Sequence, residues 1–117
     1  MGELHFVGRL LLAVYICAGA YNNASGFTPT VGLMRTLKLP APALLLRLVI
    51  AFEIVAAICL FVPPLASYAA LLLAVFCMVA PTLFHPFWTM PESFERFLHK
   101  NLFLANVAIG GAMLLLV

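Results

Sequence analysis

One carboxylate in this sequence lies where a carboxylate is costly. Glu53 stands ten residues inside the apolar run "ALLLRLVIAFEIVAAICLFV" (residues 43–62), flanked by Ala51, Ala56 and Ala57. An ionised side chain at the centre of a bilayer costs roughly 2.5–3.5 kcal/mol on insertion scales. Such a carboxyl is therefore protonated, paired, or set in a wet cavity, and the small neighbours let another helix approach it closely. Those features point to a site-lining group, with a purely structural polar contact as the alternative. The other groups capable of chemistry are Asn22, Asn23, His85, Trp88, His99, Lys100, Asn101 and Asn106. Cys17, Cys59 and Cys77 form no C-x-x-C pair; thiols buried in apolar surroundings are inert, so all three are expected to act as packing residues. No phosphate loop, zinc cluster or serine triad is spelled out, and six basic residues in all do not make a nucleic-acid surface.

The elements that position these groups follow from composition. The chain has 117 residues, 66% of them hydrophobic and 9% charged, with a mean hydropathy of +1.18. Soluble domains carry about 25% charged residues. The polar surface needed to cover a soluble core is missing, so an integral membrane protein is expected. Four continuous apolar runs, residues 6–24, 43–62, 65–84 and 101–117, are each long enough to cross a bilayer. Barrel strands would alternate polar with apolar residues, and these runs do not. An all-α four-helix transmembrane bundle follows, as a single domain over residues 1–117. The leader "MGELH" holds Glu3 and no Lys or Arg, unlike the positive start of a signal peptide, so the first run is expected to be retained.

Four spans place both termini and the turn "VPPLAS" at one end of the bundle and the two longer connections at the other. Arg35, Lys38, Arg96 and Lys100 fall at the long-loop end, which the positive-inside rule would put in the cytoplasm, with the termini periplasmic. Each long connection is expected to hold an interfacial amphipathic helix. In "TPTVGLMRTLKLP", Thr28 would cap and Pro29 would begin a helix with Val31 and Met34 on one face. In "TMPESFERFLHKN", Thr89 and Glu92 fit a capping box ahead of Phe94, Phe97 and Leu98.

Arg9 and Arg47 each lie about one turn inside a span and are expected to reach out to headgroups. Arg47 is six residues from Glu53, about 240° around the helix, so the two cannot pair. An ionic partner for Glu53 must come from another span or subunit, and Arg9 is the nearest candidate by depth. Asn22, Asn23, His85, His99, Asn101 and Asn106 all gather at the long-loop end. A pocket opening there would have Glu53 at its floor, Asn106 part-way up, and His85, Trp88 and Lys100 at its mouth. Helix ends also favour polar residues and tryptophan for simple interfacial reasons. Neither a metal site nor a facing pair of haem histidines is expected.

The order of these pieces resembles the DoxX family of small four-helix bacterial membrane proteins, over essentially the whole chain. The matching stretches are "GRLLLAVYICAGAYN", "MRTLKLPAP", "IAFEIVAAICLFVPP" and "LFHPFWTMPE" followed by "HKNLFLANVAIGGAMLLL". The resemblance implies roles for Arg9, Glu53, His85, Trp88, Lys100 and Asn101. It departs at "AGAYNN", where Asn22 stands in place of a lysine usual in such proteins. It also implies a place in the bacterial inner membrane. Some family members resemble the membrane subunit of thiosulfate:quinone oxidoreductase, and others accompany redox enzymes or have cousins acting as membrane chaperones. The bundle is similar to that of vitamin K epoxide reductases, but their cysteine pair is absent here.

Three functions are therefore carried forward. The first is an anchor or accessory subunit of a quinone-linked oxidoreductase, with a quinone or lipid headgroup near Glu53, His85 and Trp88. The second is a non-catalytic scaffold or assembly factor, holding a larger redox subunit or another copy of itself through small-residue faces such as Ala105, Ala108 and Ala112. The third is a proton-coupled transporter similar to the small multidrug resistance family, although that family carries its glutamate in the first helix.

Overall fold

A computed structural model describes residues 2–117, and the described residues form helices joined by short connections, with no strand. In order it forms α1 (Gly2–Ser25), α2 (Phe27–Thr36), α3 (Pro42–Cys59), α4 (Pro63–Phe84), a short 3-10 turn (Phe87–Thr89) and α5 (Phe94–Leu114). Four helices, α1, α3, α4 and α5, are long and apolar enough to cross a membrane. This is the expected all-α multi-pass bundle, with boundaries shifted by a few residues at most helix ends.

Prolines set several of those boundaries. Pro42 and Pro63 stand in the first turns of α3 and α4, where a missing N–H costs nothing and the fixed φ favours a helix. Only residues 60–62 separate α3 from α4, so these two spans must run antiparallel. Pro81 sits inside α4; lacking an N–H, it denies the Cys77 carbonyl its usual helical donor.

The loop helices differ from expectation. In the first connection α2 forms, but Gly26 rather than Thr28 is its N-cap, and Pro29 lies third in the helix. Its Val31 and Met34 are buried with Leu46 of α3. In the second connection there is no separate helix: residues 94–100 are the opening turns of α5, continuous with the last span. Nothing interrupts the hydrogen-bond ladder there, because no Pro or Gly occurs between Glu92 and Ile109. The cap is Ser93, whose hydroxyl accepts from the Arg96 N–H at 3.2 Å. Thr89 instead donates to the Pro86 carbonyl at 2.7 Å, which excludes the proposed capping box.

The core is built from small residues on the inner faces of the spans. Ala56, Ala57, Ala69, Ala70 and Ala74 are buried with Ile16, Leu60, Leu73, Cys77 and Met113. Alanine stripes bring helix axes together and replace the missing hydrophobic drive between helices in lipid with van der Waals contact. Gly110 carries this furthest: a Cβ there would lie 2.9 Å from Met78 Cε, 3.2 Å from the Ala74 carbonyl oxygen and 3.3 Å from Cys77 Cβ. α1 packs on α3, α3 on α4 and α4 on α5, but α1 and α5 barely approach one another. The ring of helices is thus left open along one seam.

Candidate functional site

Antiparallel pairing of α1 with α3 brings particular residues face to face. Near the short-turn end, Arg9 of α1 donates from Nη1 to the carbonyl of Leu60. The last carbonyls of a helix lack internal donors and carry its negative dipole end, so a guanidinium is well matched there. Arg9 is therefore engaged at the end of α3 and does not pair with Glu53. Ten residues further along α1, a distance of about 15 Å at 1.5 Å per residue, Gly19 lies opposite Glu53. A Cβ on Gly19 would stand 3.0 Å from Glu53 Oε2, so glycine makes room for the carboxylate.

Glu53 is only 5% exposed and is the one buried charged or polar side chain among the described residues. Its partner comes from α1: Asn23 Nδ2 donates to Oε1 at 3.1 Å. No fully enclosed side-chain polar atom among the described residues lacks a partner, so the unpaired Oε2 must open into free space. That space is a cavity of about 480 Å³ between α1, α3, α4 and α5, with α2 contributing Thr30 and Leu33. Besides Thr30, its polar lining includes Tyr15, Asn22, Asn23, Glu53, His85 and Asn106. Phe76, Phe84 and Pro81 supply apolar wall. Small-molecule cavities span about 300–1,000 Å³, and this one lies within that range.

Five of the residues singled out from sequence, Asn22, Asn23, Glu53, His85 and Asn106, thus meet in one cavity. Asn106 also donates to the Leu102 carbonyl of its own helix at 2.8 Å, leaving its amide oxygen free. His85 is the C-cap of α4, and its Nδ1 lies 3.0 Å from Nδ1 of His99. One ring must donate and the other accept, which ties the end of α4 to α5.

Trp88, Lys100 and Asn101 do not line the cavity. Trp88 packs edge-on against Phe87 and Phe103, with centroids 5.3 Å and 5.7 Å away, and fastens the 3-10 turn to α5. Lys100 and Asn101 are exposed. Arg47 holds its guanidinium carbon 5.4 Å from the centroid of Phe27, a cation–π contact joining α2 to α3. Cys77 is buried in the core and half-buried Cys59 packs against it, so two of the three thiols act as packing residues, while Cys17 is exposed.

Tyr15 and Gly19 were missed as site residues, and Asn23, counted in the polar cluster, was not recognised as the partner of Glu53. Their signal was a spacing: Tyr15, Gly19 and Asn23 recur every four residues along α1, which aligns them on one face. A second hollow, about 420 Å³ and almost wholly apolar, lies on the outside of the α3–α4 seam between Phe52, Val55, Cys59, Tyr68 and Leu72. Among the described residues no cluster of three or more His, Cys, Asp or Glu side chains is arranged to hold a metal.

Comparison with known families finds one match, the DoxX family, whose model aligns with residues 4–86. That stretch runs through α1, α2, α3 and α4 and includes Arg9, Asn23, Glu53 and His85, while α5 lies beyond it. Neither the curated proteins nor the solved structures give a match.

Proposed function

The chain belongs to the DoxX family, and from that premise we propose that it is an accessory or anchor subunit of a quinone-linked membrane oxidoreductase. In this reading the cavity at Glu53 receives a quinone ring or a lipid headgroup. One observation carries it: a carboxylate 5% exposed, fixed on one oxygen by Asn23, turns its other oxygen into a cavity of ligand size. Placing such a group in lipid is costly, and a purely structural polar contact would not require an unfilled space beside it. The aromatic wall at Phe76 and Phe84 suits the face of a ring, and the carboxylate suits the hydroxyls of its reduced, hydroquinone form. In this reading the electrons are supplied by the partner subunit.

The setting proposed is the bacterial inner membrane, with the long-loop end cytoplasmic and both termini periplasmic. Arg35, Lys38, Arg96 and Lys100 support that orientation. The test is analysis of the purified protein in lipid nanodiscs for bound quinone and for a stoichiometric larger subunit. Quinone that is retained by the wild-type protein and lost in Glu53→Gln supports the reading. The reading fails if neither protein retains quinone and added quinone binds to neither.

A second reading, a non-catalytic scaffold or assembly factor, draws on different surfaces. Ala105, Ala108 and Gly111 lie exposed on α5, and the apolar hollow of the α3–α4 seam is open to the outside. Small faces of this kind permit close helix contact with a partner or a second copy. A larger subunit that copurifies without quinone, and stays bound in Glu53→Gln, favours this reading over the first.

A further inference from the structure

The open seam bears on how the cavity is filled and by what. Resting on the ligand-binding reading above, we propose that the cavity is loaded sideways from the bilayer, through the gap between α1 and α5, by a molecule whose polar head is uncharged.

Three features of the fold support the route. First, α1 and α5 are the one neighbouring pair of spans that do not close on each other. Second, four of the five exposed residues of the cavity lie on those two helices: Tyr15, Ala18 and Asn22 on α1 and Leu102 on α5, the fifth being Leu33 of α2. Third, α2 supplies Thr30 and Leu33 to the wall at the long-loop end and is anchored there by Val31 and Met34 against Leu46. The way in from the long-loop end is thereby narrowed by α2, while α1 and α5 leave the side facing the acyl chains open.

The head chemistry follows from the lining. No Lys or Arg is among the residues around the cavity. Arg9 is engaged with Leu60 at the far end of α3, and Arg47 lies over Phe27. A phosphate headgroup would meet a carboxyl and no cation in a poorly solvated space, which is strongly unfavourable. Of the groups present, Glu53 Oε2 and the Asn106 amide oxygen can accept from the hydroxyls of a neutral hydroquinone, and the hydroxyls of Tyr15 and Thr30 can donate to the carbonyl oxygens of a quinone. Between quinone and phospholipid, the lining therefore selects the quinone.

The experiment uses the full chain in phosphatidylcholine nanodiscs, with a decyl-substituted benzoquinone and its hydroquinone as probes. Ala18→Trp and Leu102→Trp narrow the gap from opposite sides, and Leu48→Trp places the same ring on an exposed face of α3 away from it. Each gap variant is expected to raise the apparent Kd at least tenfold, with Leu48→Trp within twofold of wild type. Replacing a third of the lipid with phosphatidylglycerol should leave the wild-type Kd unchanged. A benzophenone-tailed quinone, bound to unmodified protein and irradiated, should label α1 and α5 near Ala18 and Leu102, which tests the route without any substitution. Tight binding that survives both gap variants, with labelling confined to the α3–α4 seam, overturns the sideways route but leaves the quinone reading standing. Competition by phosphatidylglycerol overturns the uncharged head. Absence of binding to wild type overturns both readings together.

Discussion

Two adjacent glycines in α5 give a test of the packing that holds the site together. A Cβ on Gly111 meets nothing within 4 Å. Gly111→Ala should therefore gain only the helix-propensity difference, up to about 1 kcal/mol. At Gly110 the same methyl would fall 3.2 Å from the Ala74 carbonyl oxygen and 3.3 Å from Cys77 Cβ. Both obstacles are rigid parts of α4, and ordinary contact begins near 3.4 Å, so the helices must part by a few tenths of an ångström. Met78 Cε at 2.9 Å can swing aside, because it ends a flexible chain. Overpacking of this kind costs about 1–3 kcal/mol, which outweighs the propensity gain and gives a net loss of about 0–2 kcal/mol for Gly110→Ala. The two variants should differ by about 1–3 kcal/mol in the same background, and Gly110→Leu should be worse than either. Reversible unfolding in mixed micelles with increasing dodecyl sulfate, followed by circular dichroism, measures the difference directly. Equal midpoints for Gly110→Ala and Gly111→Ala would show that α4 and α5 are not in the close contact described.

Other perturbations address the site and its supports. Gly19→Ala should push the Glu53 carboxyl off its position 3.0 Å away and weaken the Asn23 hydrogen bond, lowering quinone affinity in the same nanodisc titration while the bundle stays folded. Arg9→Met leaves the Leu60 carbonyl without its donor and should destabilise by about 1–3 kcal/mol in the micelle assay, with Arg9→Lys intermediate. Lys38 holds a left-handed φ of 59° in the α2–α3 turn, which costs a non-glycine residue about 1–2 kcal/mol. Lys38→Gly should therefore raise the unfolding midpoint, or at worst leave it unchanged after the greater chain entropy of glycine is counted.

What the sequence displayed, and what it hid, follows physical lines. Spans are written as long apolar runs because lipid tolerates little else, so their number could be read directly. The start of α5 was misplaced because Glu95, Arg96 and Lys100 lower local hydropathy without interrupting the hydrogen bonds of a helix. Glu53 announced itself by its cost in an apolar run. Its partner did not, because depth along a single helix does not give the register between two. Arg9 was the charged group to hand, but the antiparallel register sets it beside Leu60 and brings Gly19 and Asn23 to Glu53. Asn23 reads as an ordinary polar residue at a helix end until that register is known. Lys100 and Asn101 were grouped with His85 because they share an end of the bundle, yet a helix end presents residues in all directions, and these two point away from the cavity.

The continuity of α5 has a mechanical consequence. A loop between an outer helix and the last span would have let the two move independently. Instead one rod of 21 residues carries the exposed charges of Glu95 and Lys100 and half-buried Arg96 at one end, and Asn106 in the cavity wall further along. His99, on the same rod, is tied to the end of α4. Force applied by anything grasping the outer turns is delivered to the cavity as leverage, with the histidine pair as fulcrum.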